Sequence, residues 1–134
     1  MPAGYSGTPL ARKLGFADGG PLWAKDMPAS VRAEIETVVC PRYVARPAKG
    51  IGAAHLFHTV AARLEADLAK LRLIMAPDGM VWVSWPKKAA KVETDITEDV
   101  IRAVALPMGF VDVKVCAVDA VWSGLKLVIR KELR

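Results

Sequence analysis

Residues 64–88, LEADLAKLRLIMAPDGMVWVSWPKK, decide the fold. Leu64, Leu68, Leu71 and Met75 recur at helical spacing, with Arg63, Asp67, Lys70 and Arg72 expected mostly outward. Pro77-Asp78-Gly79 then forms a turn, because proline presets the bend and glycine tolerates positive φ. Met80 to Trp85 follows as a run with almost no polar position, the pattern of a strand buried on both faces. A helix feeding such a strand through a tight turn belongs to a parallel sheet covered by helices on both sides.

Working back toward the N-terminus, Ala54 to Val60 is a mostly apolar strand, preceded by a loose linker, Arg46 to Gly52. Val38 to Val44 is β-branched and aromatic enough for a strand, which Pro41 confines to an edge. Ala29 to Glu36 places Val31 and Ile35 on one side of a short helix. Leu22 to Met27 is a first strand ended by Pro28. Residues 1–15 are expected as a loop and short helix docking through Leu10 and Leu14. There Thr8 is the cap, Pro9 the first helical residue and Gly15 the left-handed stop.

Working forward, Asp95 is expected to cap a helix, with Glu98 completing a capping box. Ile96, Val100 and Val104 face the core, and Gly109 ends that helix. Val111 to Val118 and Leu125 to Lys131 flank Asp119–Gly124 as an antiparallel hairpin at the sheet edge. The reading is one α/β domain over residues 1–134. It has three Rossmann-like layers around a mostly parallel sheet of about five or six strands, closed by that C-terminal hairpin.

The bulk numbers agree with a globular chain: 134 residues, 53% hydrophobic and 25% charged. No apolar run approaches the ~18–20 residues that cross a bilayer. Met1 to Leu10 has neither a basic start nor an apolar stretch, so no signal peptide is read there and the cytoplasm is the expected compartment. The net charge is +5, but the 19 basic residues are spread along the chain. That dispersion argues for solubility over nucleic-acid binding. Cys40 and Cys116 sit in apolar, strand-like segments and are expected as inert core thiols.

Two resemblances arise from these motifs. The order helix, Met75 to Val83, helix, hairpin resembles the second half of a class I methyltransferase fold, over roughly Ala54 to Lys131. More specific are Gly4-Tyr-Ser-Gly-Thr-Pro-Leu10, Trp85-Pro-Lys-Lys88, Thr94-Asp-Ile-Thr-Glu-Asp-Val100 and Lys114-Val-Cys-Ala-Val-Asp-Ala-Val-Trp-Ser-Gly-Leu125. On these the chain resembles the bacterial family called domain of unknown function 3052, departing most over residues 19–52. That family implies the fold and no known activity.

The chemistry is sparse. Methyl-donor or nicotinamide binding on this fold calls for a glycine-rich turn after the first strand and an acid ending the second. Here the turn is Lys25-Asp26-Met27-Pro28-Ala29-Ser30, without glycine, and the second strand ends Tyr43-Val44-Ala45-Arg46, without a carboxylate. No cofactor is therefore expected. His55 and His58, three apart on a strand, point to opposite faces, so no metal site is expected either. The candidate ligand site is Trp85, Lys87, Lys88 and Lys91, just past the central strand, joined by Trp122 and Ser123 of the hairpin tip. Lysines there suit a phosphate or carboxylate, although Asp95, Glu98 and Asp99 offset their field. Structural cover is the competing role for Trp122. The functional expectation is a cofactor-free module for a small anionic ligand or a protein partner. A degenerate methyltransferase-like enzyme is the alternative, and weak nucleic-acid binding through Arg12, Lys13 and the lysine loop the third.

Overall fold

In the computed structural model, which describes residues 7–134, the chain runs α1 (Leu10–Leu14), β1 (Pro21–Lys25), α2 (Ala29–Ile35), β2 (Arg42–Tyr43), β3 (Ala53–Phe57) and α3 (Ala61–Ile74). It continues through β4 (Met80–Pro86), α4 (Glu98–Ala105), β5 (Phe110–Ala117) and β6 (Trp122–Ile129). The expected loop at residues 1–6 lies outside the described residues. The six strands form one sheet in the order β2-β1-β3-β4-β6-β5. β2, β1, β3 and β4 are mutually parallel, and β6 is antiparallel to both β4 and β5. The mixed, mostly parallel α/β sheet is the one expected. Its hairpin does more than border the edge, because β6 is inserted between β4 and β5.

Alternation along the strands divides the core into two layers. Leu56, Val81, Val83 and Trp85 pack with Leu64, Leu68 and Leu71 of α3 and Ile101 and Ala105 of α4. Leu22, Phe57 and Trp82 pack on the opposite face with Leu10 and Leu14 of α1 and Val31 and Ile35 of α2. The Trp82 indole N–H donates to the Leu14 carbonyl at 2.8 Å. This gives a buried indole its partner and fixes the N-terminal helix to the sheet.

Several boundaries differ from expectation, each for a local reason. Pro9, not Thr8, is the cap of α1, and no side chain caps that end; Gly15 closes it in the left-handed region (φ 76) as expected. Only Arg42–Tyr43 of the expected 38–44 strand pairs with β1. The amides of Val38 and Val39 both bond to the Ile35 carbonyl, completing the last turn of α2. Cys40 is consequently exposed in a loop, while Cys116 on β5 is half-buried, with burial pushing its thiol up. α4 is capped by Thr97, whose hydroxyl accepts the Val100 N–H at 3.2 Å. Asp95 instead accepts the Ala61 N–H at 2.8 Å, and so caps α3 from a distant part of the chain. Ile101 and Ala105 form the buried face of α4, and Val100 and Val104 are half-buried beside it. A short 3₁₀ turn, Leu106–Met108, intervenes before Gly109 stops the chain at φ 102.

No helix among the described residues is long and apolar enough to cross a membrane.

Candidate functional site

The chain leaves β1 through α2 to reach β2 on one side, and leaves β3 through α3 to reach β4 on the other. Strand order therefore reverses between β1 and β3. In open α/β sheets ligands bind outside the carboxyl ends of the strands at such a switch. β5 runs parallel to β4, being antiparallel to β6, so the hairpin tip rises over the same rim.

A cleft of about 230 Å³ occupies this position. Asp26 borders it from the end of β1; Phe57, His58, Thr59 and Val60 from the end of β3; Arg63 from the first turn of α3; and Trp122 from the start of β6. Asp26 holds a positive φ of 56°, a conformation uncommon outside glycine, at the place where β1 turns toward α2. The Trp122 ring meets Phe57 edge-on, with centroids 5.1 Å apart, and so forms an apolar wall. Among the described residues, no side chain pairs with the Arg63 guanidinium.

Below the cleft, His58, Asp67 and Lys25 form a connected trio. His58 Nε2 is 2.7 Å from Asp67 Oδ2. Lys25 Nζ donates to both oxygens of the same carboxylate, at 3.0 and 2.8 Å. The His58 main-chain N–H donates to the Ser84 carbonyl at 3.1 Å, which ties β3 to β4 at this point. Asp67, expected to face outward, is buried on α3. It takes the i+3 slot of the row Leu64, Asp67, Leu68, Leu71, whose other members are core residues. A carboxylate in that slot was the signal that sequence reasoning passed over.

His55 faces the other layer, as its spacing from His58 requires. It is fully buried between Phe16 and Phe57, stacking on Phe57 at 4.3 Å. Its Nε2 is 2.7 Å from Ser84 Oγ, its Nδ1 has no partner, and burial pushes its pKa down to about 3. The two imidazoles thus belong to different layers. Among the described residues no three of His, Cys, Asp or Glu gather as a metal-binding group.

The residues singled out on the lysine loop and hairpin tip are not one cluster. Trp85 is buried among α3 and α4, whereas Trp122 belongs to the opposite layer. Lys87 is held inward, its Nζ donating to the Asp119 carbonyl at 2.6 Å and its N–H to Val121 at 2.7 Å. Lys88 and Lys91 are exposed on a 3₁₀ turn, with Lys91 at φ 55. Ser123 lies half-buried in β6 opposite Trp85. Beside this loop a second hollow, about 480 Å³, is bordered by Thr59, Val60, Glu93, Thr94 and Asp95. Its two carboxylates oppose an anion.

No family model matches the chain, and no curated protein does. Solved structures do. A putative type 11 methyltransferase from Sulfolobus solfataricus superposes with a TM-score of 0.62 at 9% identity, over 91% of this chain and 90% of that one. Magnesium protoporphyrin IX methyltransferase from Synechocystis PCC 6803, with bound SAM, gives a TM-score of 0.57 at 11% identity, over 90% and 74%. The fold is methyltransferase-like. Some other matches are much larger proteins: the chain spans 39% of the length of a pericyclic reaction enzyme, at a TM-score of 0.51 and 10% identity over 90% of this chain. Identities this low carry the fold and nothing of the chemistry.

Proposed function

We propose that this chain is a degenerate methyltransferase-like domain that binds a small anionic molecule in the cleft beyond β1 and β3, without S-adenosylmethionine. The observation that carries the reading is the cleft itself, which lies where strand order reverses and has Arg63 and Trp122 on its border. Arg63 offers a guanidinium that suits a carboxylate or phosphate, and Trp122 offers a face for the apolar part of the ligand. The same surroundings disfavour the methyl donor. The β1–α2 turn has no glycine to let the backbone approach a ligand closely. Near the end of β2, where an acid is needed, the Arg32 guanidinium stacks 3.9 Å over the Tyr43 ring.

The test is a titration of isotopically labelled protein with inorganic phosphate, small mono- and dicarboxylates, and S-adenosylmethionine. Saturable shifts at Asp26, Thr59, Arg63 and the Trp122 indole, lost in Arg63→Ala, are the expected result with at least one anion. Shifts confined to Lys88 and Lys91 would move the site to the lysine loop, the location that Trp85, Lys87, Lys88, Lys91, Trp122 and Ser123 suggest in sequence. In that case replacing both Lys87 and Lys88 by alanine removes binding.

A second reading rests on the fold neighbours, several of which hold SAM. Saturable binding of S-adenosylmethionine at the Asp26–Pro28 turn would overturn the first reading and favour methyl transfer as the function. Membership of the domain of unknown function 3052 family is proposed on the shared motifs alone.

A further inference from the structure

We infer that His58 is a proton acceptor for the cleft, with Asp67 and Lys25 as its positioning residues. The inference rests on the cleft being the ligand site and adds the chemistry performed there: abstraction of a proton from a small molecule with an acidic C–H or O–H.

The tautomer follows from the hydrogen bonds. Asp67 receives both bonds from Lys25, and an ionised carboxylate can only accept, so His58 Nε2 carries the proton and donates to Oδ2. In the neutral ring Nδ1 is then the basic nitrogen. His58 lines the cleft, and among the described residues no group bonds that Nδ1. A base held by an orienting acid, on a residue that lines a ligand cleft, is the minimal arrangement for general base catalysis. As Nδ1 takes the proton, the imidazolium that forms is already paired with Asp67, and Lys25 keeps the carboxylate in place. The proton returns to product or solvent from the same nitrogen, so no further reactant is needed.

A purely structural clamp explains these residues less well. The Lys25–Asp67 pair is only partly buried, with the Lys25 side chain 36% exposed, and such a pair contributes little to stability. Asp67 occupies a slot between Leu64, Leu68 and Leu71 where a leucine continues the row. His55 is the internal control, an imidazole closed into the core against Phe16 and Phe57, with its pKa depressed to about 3.

Two measurements on the intact protein test the inference. Long-range proton–nitrogen NMR of the two histidines reads the tautomer directly. The expected result is neutral His58 with Nε2 protonated and Nδ1 bare; an Nδ1-protonated neutral ring overturns the inference whatever the cleft binds. The second uses 5-nitrobenzisoxazole, whose ring C–H proton passes to a base as the N–O bond breaks, giving a coloured cyanophenolate. Saturable turnover is expected, and its pH profile is recorded alongside. His58→Gln should lower it about 100-fold or more, while Asp67→Asn should lower it less and displace the pH profile. Amide spectra check that each variant is folded, and His55→Gln supplies a variant outside the cleft with activity retained. If the probe shifts Trp122 and Thr59 yet wild type and His58→Gln turn over equally, the inference fails and the cleft reading survives. If no turnover occurs while anions still shift Arg63 and Trp122, the inference fails and the cleft reading survives; if neither the probe nor any anion moves those resonances, both fail.

Discussion

At the scale of single residues, the two histidines show how three positions along one strand create opposite fates. His55 has lost its ability to ionise in the ordinary range, because burial opposes the imidazolium. The sign of the consequence is fixed. Its folded pKa of about 3 lies below the ordinary 6.5, so below pH 6.5 the unfolded chain binds a proton that the folded one does not. Stability is therefore lost as pH falls through that window. Between pH 7 and pH 5 this single group is expected to cost about 2 kcal/mol. Urea unfolding of wild type and His55→Leu at both pH values checks it: the variant starts lower but loses less on acidification. An equal loss in the two proteins would place the acid sensitivity elsewhere. That His55 and His58 diverge was legible in their spacing. The partnership of His58 with Asp67 and Lys25 was not, since it joins three elements, and side-chain direction on α3 depends on how that helix is rolled against the sheet.

At the scale of elements, long and strongly patterned segments were readable, and short ones yielded to their neighbours. α3 and β4 match the pattern of residues 64–88 because their apolar positions are numerous and evenly spaced. The 38–44 segment looked β-branched, but β-propensity is a weak prior beside the completion of a helical turn at Ile35. Capping residues were recognised by type and misplaced by position. Thr97 rather than Asp95 caps α4, which leaves Asp95 for the first amide of α3. The two acceptors consequently serve different helices. Thr97→Ala is expected to cost about 1 kcal/mol by loosening α4 alone. Asp95→Ala should cost a similar amount, with faster amide exchange at Ala61 and the first turn of α3. Hydrogen exchange resolved by residue distinguishes them, and protection lost from α4 in the Asp95 variant would contradict the assignment.

At the scale of the whole molecule, the sheet ends on β5, which carries Val113 and Val115, each about half exposed (53% and 49%), and Lys114, whose Nζ donates to the Lys13 carbonyl at 3.3 Å. Charge on an edge strand discourages pairing with a second chain. Lys114→Val should leave the monomer's fold intact while producing concentration-dependent association, readable by sedimentation velocity; a strictly monomeric variant at high concentration would deny Lys114 that role. The mixed sheet was legible in sequence as helix alternating with strand and a final hairpin. The placement of β6 between β4 and β5 was not, because antiparallel pairing of two neighbours says nothing about which of them meets the rest of the sheet. That placement has a temporal consequence. On the ribosome β4 emerges well before the strand that will cover its flank, and β5 emerges with nothing to join. Until residues 122–129 are made, the apolar ribbon from Val81 to Trp85 is an open border, so β6, made after both of its neighbours, is the strand that seals the nascent sheet.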